Sequence, residues 1–255
     1  MRKLKKQILY YIFLLFFIYT DKTLSLECPK PTNTGEIKGN PSGCFDLYVL
    51  AISWKPELCT KTKKCSSDEL YGTYAATKLS AHGFWPQYNP INNKSAYPTY
   101  CKNSPGKDTF SSSKLSYSTW SNYLMITQPN GNFLAKHEWE KHGTCSNLTQ
   151  EEYFKATTYK VIKNPGTPDK LSQYINSHTS LKNLQSLFGG QDYVVLACNY
   201  DETSQKYYLS EIYTFWDKSN IDQQIKNPGK RSNCPSKNPI YIRGATRKNY
   251  ILTDT

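Results

Sequence analysis

The sequence predicts an α+β fold: a mainly antiparallel sheet with several packed helices in one disulfide-stabilised domain. Three observations point there. Short apolar runs alternate irregularly with helical patterns and include a hairpin, which argues against a regular βαβ array. Eight cysteines, an even number, follow a hydrophobic leader, and that combination implies a disulfide framework. The roughly 230 residues beyond the leader suit a single domain with a sizeable core.

Residues 1–25 read as a signal peptide. Arg2, Lys3, Lys5 and Lys6 form its basic start, and residues 8–20 are its apolar centre. That centre is shorter than the roughly 20 residues needed to span a bilayer. Thr23 and Ser25 are small residues placed for cleavage after Ser25. No second long apolar run follows, so residues 26–255 are expected to enter the secretory route with no membrane attachment after cleavage. The full chain carries 32 Lys and Arg against 20 Asp and Glu, a net +12. Without Arg2, Lys3, Lys5, Lys6, Lys22 and Asp21 the excess is still +8, a balance that favours polyanionic partners.

Residues 45–54 are a near-continuous apolar run and read as a buried strand, with Pro56 ending it. Cys59 and Cys65 bracket a short lysine-rich loop. Residues 70–79 suit a short helix. Residues 82–88 are extended because of Pro86, and the polar stretch 89–113 reads as surface loop. Helical patterns cover 115–125, 151–162, 167–174 and 181–187, the last stopped by Gly189-Gly190. Residues 192–198 and 207–216 are two further apolar strands with a hairpin loop at 199–205 between them, and 238–243 form a last short strand. Residues 244–255 read as a tail. Two sequons, Asn93-Lys94-Ser95 and Asn147-Leu148-Thr149, fit a secreted chain.

The stretch with the most chemistry is Lys136-His137-Glu138-Trp139-Glu140-Lys141-His142-Gly143-Thr144-Cys145, which holds two of the four histidines. On a helix, with His137 at 0°, Lys141 falls at about 40°, Glu138 at about 100° and His142 at about 140°. Two histidines, a lysine and a carboxylate then share one side. Trp139, at about 200°, is left to anchor the helix in a core. Gly143 suits a helix end that needs left-handed dihedrals. Histidine near its ordinary pKa of about 6.5 can give or take a proton, and a cation beside it can stabilise a developing anion. Such a face suits phosphoryl transfer. A zinc helix would need histidines at i and i+4, whereas these stand at i and i+5. No Cys-x-x-Cys pair occurs either, so neither a metal nor a cofactor is expected. His178 matches no motif and reads as surface.

A third histidine opens His82-Gly83-Phe84-Trp85-Pro86. Together, in order and about fifty residues apart, this stretch and His137 to Cys145 resemble the two signatures of the ribonuclease T2 family. That family includes secreted, lysosomal and vacuolar acid ribonucleases and self-incompatibility ribonucleases. The resemblance extends to the strand ending at Trp54 and to Leu209-Ser210-Glu211-Ile212.

The resemblance implies a metal-independent endoribonuclease that cleaves single-stranded RNA, and not DNA, through a 2′,3′-cyclic phosphate. Its place would be outside the cell or in a secretory, lysosomal or vacuolar lumen, as a monomer. It implies His142 as general base, His82 as general acid, and Glu138 and Lys141 as stabilisers of the phosphorane. His137 would hold phosphate and Trp85 would stack on the base 5′ to the cut. It also implies the pairs Cys59–Cys65, Cys101–Cys145 and Cys198–Cys234, leaving Cys28 with Cys44.

The chain departs from the family pattern at residues expected to touch the base. Gln87 stands where several relatives carry an acidic residue, Ser53 replaces a frequent glutamine, and the aromatic pair usual upstream of His137 is Phe133-Leu134, shifted by one; Phe84 replaces a common leucine, an apolar exchange expected to have little effect. The competing reading is an RNA- or polyanion-binding protein on the same fold without catalysis. Retention of both His82 and His142 favours the enzyme.

Overall fold

The computed structural model describes residues 28–31, 34–62, 65–90 and 95–246. The expected signal peptide at 1–25 and the Asn93 sequon lie outside the described residues. The strands are β1 (Gly35–Lys38), β2 (Leu47–Ser53), β3 (Ser80–Gln87), β4 (Ala96–Thr99), β5 (Ser177–Thr179), β6 (Val194–Asp201), β7 (Lys206–Asp217), β8 (Gln224–Ile225) and β9 (Ile240–Ile242). The α-helices are α1 (Lys55–Thr62), α2 (Ser67–Leu70), α3 (Tyr117–Thr127), α4 (Gly131–Lys141), α5 (Gln150–Ile162) and α6 (Leu181–Ser186).

The main sheet runs β3-β2-β7-β9-β5, and β6 and β8 also pair with β7. Its ladders are antiparallel except β7 with β9. β1 and β4 form a separate parallel pair. Every residue of β2 is buried, which explains its unbroken apolar sequence: a strand covered on both faces has no polar alternation. On one face α3, α4 and α5 pack down through Trp139, Tyr153, Phe154 and Tyr123, all essentially inaccessible. The Tyr153 ring lies 5.6 Å from Trp139, and Phe84 stacks on Tyr48 at 4.4 Å. The opposite face carries a smaller cluster of Leu47, Val49, Val195 and Phe215, against which Trp85, Tyr213 and Ile225 pack.

Local sequence sets the helix ends. Thr149 accepts from the backbone N–H of Glu152, and the Glu152 carboxylate accepts from the backbone N–H of Thr149. This capping box satisfies donors that the first turn leaves unpaired. Ser116 caps α3 by accepting from the backbone N–H of Thr119, and Glu151 of α5 accepts from Ser116 and Thr119. The two helices are thereby tied at their starts.

Several elements differ from the sequence reading. Pro56 does not merely end a strand; it sits in the first turn of α1, where a missing N–H is no loss. The helix expected over 70–79 is instead α2 and a separate 3₁₀ turn, Tyr74–Ala76. Gly72, at φ +78°, separates them. Residues 169–174 are 3₁₀ rather than α. The loop expected over 89–113 contains β4, whose four residues pair with β1 and announce nothing alone. The hairpin strands run on to Asp201 and Lys206, leaving a shorter turn than expected. The start of the expected tail is docked: Gly244 N–H donates to Asn176 Oδ1 at 3.0 Å, and Thr246 N–H to Ser67 Oγ at 2.7 Å. His178 is exposed, as expected, 5.1 Å from the Tyr241 ring.

The disulfides are Cys28–Cys44, Cys59–Cys65, Cys101–Cys145 and Cys198–Cys234, the pairing that the resemblance implies. Cys101–Cys145 closes 44 residues and fastens the chain just beyond α4. Replacing both cysteines with serine should cost about 2–4 kcal/mol of stability, mostly through a less constrained unfolded chain. Denaturant unfolding of the double variant checks this; an unchanged midpoint would refute it.

Candidate active site

The site lies where β3 faces the C-terminal end of α4. Its first component is a fault in the strand. Along β3 and β2, Gly83 pairs with Ala51 and Ala81 with Ile52, so His82 is an extra residue in the ladder. In a regular strand residues three apart point to opposite faces. The bulge cancels that alternation and brings the His82 ring to 5.0 Å from Trp85. Bulges commonly re-aim a side chain in this way.

The re-aimed His82 meets Glu211 of β7: His82 Nδ1 lies 2.6 Å from Glu211 Oε1. Ser53 Oγ donates to the same oxygen at 3.0 Å, and the Tyr213 hydroxyl donates to Glu211 Oε2. Burial opposes ionisation of both partners, yet their mutual bond and charges win. The His82 pKa is raised above its ordinary value and that of Glu211 is lowered. With Nδ1 held by the carboxylate, Nε2 is the nitrogen left to exchange a proton with a ligand.

The second component is α4. Trp139 is fully buried and its indole N–H donates to Lys107 O at 3.0 Å. The α-helix ends at Lys141, and His142 is its C-cap, with φ −116° and ψ −45°. A 3₁₀ turn, Gly143–Cys145, continues the chain. Gly143 therefore does not serve as a left-handed stop. A Cβ there would stand 2.4 Å from the Trp139 ring, so close packing requires the glycine.

His142 is buried and its Nδ1 has no hydrogen-bond partner. Burial, then Lys141, His137 and His82, push its pKa down to about 3. Glu138 adds no opposing pull on His142, for a physical reason. Glu138 is 1% exposed, and burial pushes its own pKa up to about 7 against the pull of His82, Trp85 and Lys141. It carries little charge in acid. His137, exposed on the same helix, has its ring 6.5 Å from that of His142 and a lowered pKa from partial burial, Lys141 and His82.

Trp85 joins the two components. Its indole N–H donates to Glu138 Oε2 at 2.7 Å, and its ring lies 5.4 Å from His142 as well as 5.0 Å from His82. The contact is possible because residue 83 is glycine: a Cβ there would fall 2.0 Å from both Glu138 Oε2 and Trp85 Nε1.

These side chains line a cleft of about 400 Å³ with Gln87, Ser95, Tyr97, His137, Lys141 and Lys230. A larger cavity of about 730 Å³ lies elsewhere, between α3 and α5; it contains none of the histidines. The cleft gathers His82, Trp85, Gln87, His137, Glu138, Lys141 and His142. Ser53, expected to touch a base, does not line it. It is buried opposite Glu211 on β7 and donates its hydroxyl to that carboxylate. Sequence reasoning noted Glu211 only within a resembling segment and did not assign it a role. A carboxylate inside an apolar strand was the available signal. Tyr97, Tyr213 and Lys230 gave none, since each is one of many similar surface-type residues. Among the described residues, no group of three or more His, Cys, Asp or Glu could hold a metal ion.

A profile of the ribonuclease T2 family matches residues 45–234. The chain belongs to the ribonuclease T2 family. A ribonuclease of Aeromonas hydrophila is 32% identical over 128 residues, covering 50% of this chain and 50% of that one. Ribonuclease 1 of Arabidopsis thaliana is 33% identical over 114 residues, 43% and 47% of the two chains. The chain thus spans about half the length of these relatives. Ribonuclease Oy of Magallana gigas is 27% identical over 217 residues, 77% of this chain and 95% of the other. Among solved structures, RNase NT in complex with 5′-AMP is similar with a TM-score of 0.59 at 22% identity, over 78% of this chain and 98% of that one. Ribonuclease MC1 from bitter gourd seeds gives 0.56 at 22%, over 77% and 100%. These structural likenesses show the α+β fold. No described helix is long and apolar enough to cross a membrane.

Gly83→Ala is expected to break the Trp85–Glu138 hydrogen bond, because backbone and indole cannot both keep their places. Lowered thermal stability with altered tryptophan fluorescence would show it; an unchanged spectrum and midpoint would contradict the close-approach argument.

Proposed function

We propose that this protein is a metal-independent endoribonuclease that cleaves single-stranded RNA through a 2′,3′-cyclic phosphate. The observation that carries the reading is the pair of histidines with oppositely displaced pKa values on two sides of Trp85. His142, unprotonated above about pH 3, takes the ribose 2′-OH proton. The 2′-oxygen attacks the adjacent phosphorus, and the bond from phosphorus to the 5′-oxygen breaks. His82, kept protonated by Glu211, gives its proton to that departing oxygen. If the cyclic phosphate is then hydrolysed, microscopic reversibility exchanges the two roles.

Lys141 supplies positive charge to the phosphorane. Glu138, carrying a proton below about pH 7, stands beside it without repelling it and fixes Trp85. His137 holds phosphate. Trp85 and Gln87 hold the base 5′ to the cut. RNA supplies its own nucleophile, so the reaction needs proton transfer and charge stabilisation. DNA, lacking the 2′-OH, is not a substrate. The protein acts as a monomer delivered by the signal peptide to the secretory route.

Purified protein with EDTA should cut RNA and leave single-stranded DNA intact. His82→Ala and His142→Ala should each lower kcat about 10²–10⁴-fold, whereas His137→Ala should chiefly raise KM. A uridine 3′-nitrophenyl phosphate, whose leaving group needs no acid, should rescue His82→Ala and not His142→Ala. Equal cutting of DNA, or rescue of His142→Ala instead, would overturn the assignment. RNA binding with no cleavage by the unaltered protein would favour a binding protein on this fold.

The pH profile should be a bell. Its acid limb follows His142 and its alkaline limb follows His82, whose raised pKa lies above 6.5. Glu211→Gln removes the charge that raises His82 and should move the alkaline limb to lower pH while leaving the acid limb in place. An unmoved alkaline limb would refute the role of Glu211. The same displacements act on stability. His142 favours the fold above its ordinary 6.5 and loses that contribution as pH falls toward 3. Glu138, raised from 4.5, contributes fully below 4.5 and loses it as pH rises through about 7.

A further inference from the structure

Next to the catalytic cleft lies a smaller cavity of about 250 Å³, lined by Pro90, Ser95, Gly229, Lys230 and Arg231. Ser95 and Lys230 line both spaces, so the two adjoin. The lining of this extension holds two cations and no carboxylate.

The cations sit on a braced turn. Asn227 Oδ1 accepts from the backbone N–H groups of Gly229 at 3.2 Å and Lys230 at 2.9 Å. Asn227 Nδ2 donates to Lys230 O at 2.7 Å, and its own backbone N–H donates to Asp192 O at 2.7 Å. Gly229 takes φ +106°, a left-handed conformation that favours glycine. Lys230 Nζ lies 3.6 Å from the centre of the Tyr213 ring. The lysine is thus held in place, and Arg231 beside it is exposed.

Strand register gives the direction of the groove. Ser53 and Glu211 mark the His82 end of the sheet face; Trp85 lies opposite Val49, and Gln87 opposite Leu47, at the other end. Tyr88 N–H donates to Ala96 O at 3.0 Å, which joins the Gln87 end to the chain at Ser95. Pro90 and Ser95 therefore bring the extension to the Gln87 end of the cleft, while Lys230, over the Tyr213 ring, stays near enough to Glu211 to feel its charge.

We propose that Lys230 and Arg231 form a phosphate subsite for the 5′-phosphate of the nucleotide whose base Trp85 and Gln87 hold. The inference rests on the endoribonuclease reading above. A polyanion laid in the cleft carries a charge on each neighbouring nucleotide, and the planar guanidinium of Arg231 suits a phosphate's paired oxygens. The subsite makes longer RNA a better substrate than a minimal dinucleotide.

The test uses the purified protein and three substrates: a dinucleoside monophosphate, the same molecule with an added 5′-phosphate, and the same with an added 3′-phosphate. The 5′-phosphate should raise kcat/KM about threefold, the scale of one solvent-exposed charge pair. Arg231→Gln should remove that ratio and Arg231→Lys should keep part of it. On longer RNA, Arg231→Gln should lessen the slope of log kcat/KM against log salt by about 0.7, one phosphate contact on a single strand. A 5′-phosphate advantage that is absent, or that survives Arg231→Gln, overturns the subsite. So does an Arg231→Gln effect confined to the 3′-phosphate. If the unaltered protein leaves all three substrates uncut, the endoribonuclease reading fails; if it cuts them equally, only the subsite fails.

Discussion

One hydrogen bond couples the two halves of this site: the Trp85 indole donating to the Glu138 carboxyl across the space that Gly83 leaves open. It ties an edge strand to a helix that is otherwise attached through its buried back. Trp139 and Gly143 press the other side of that helix into the core, and the Cys101–Cys145 disulfide fixes the chain beyond it. Between these restraints His142 has little freedom. Its place follows from the cap geometry rather than from a helical angle.

Buried charge is costly unless it is paired, and the site divides its titratable groups by that rule. Glu211 has three hydrogen-bond donors and stays ionised despite burial. Glu138 has the Trp85 indole and distant cations, and burial wins. His82 leans on the charged carboxylate, whereas His142 faces lysine and other histidines. The surroundings alone thus displace the two carboxyls in opposite directions, and the two imidazoles likewise. Such divergence within chemically identical pairs is how one pocket offers an acid and a base together.

The sheet contributes through its irregularity. Without the extra residue at position 82 the ring would point at the helices and Glu211 would lie buried beneath an empty place. A second irregularity on β7 sets Ser210 outside the ladder beside Glu211, since Ala197 pairs with Glu211 and Cys198 with Leu209. The two bulges flank the same ion pair on β3 and β7, the strands on either side of β2. The cost of an interrupted ladder is offset where a side chain must leave its strand's alternation.

Much was legible in the sequence because it is local. Apolar runs marked β2, β6 and β7, and residues 115–125 and 151–162 marked α3 and α5. The spacing of His137, Glu138, Lys141 and His142 marked the chemical face, and the two histidine stretches together marked the family. Tertiary structure alone decided the rest. β4 exists because β1 lies beside it, and a helix at 70–79 gave way where Gly72 turned the chain. Ser53 turned its hydroxyl to Glu211 instead of toward a base, because the register of β2 and β7 sets those two residues opposite each other. Glu211, Tyr213 and Lys230 joined the site from β7 and a following turn, more than a hundred residues from His82. No pattern of a single segment carries such contacts. They depend on register and burial, which arise only when distant segments share a core.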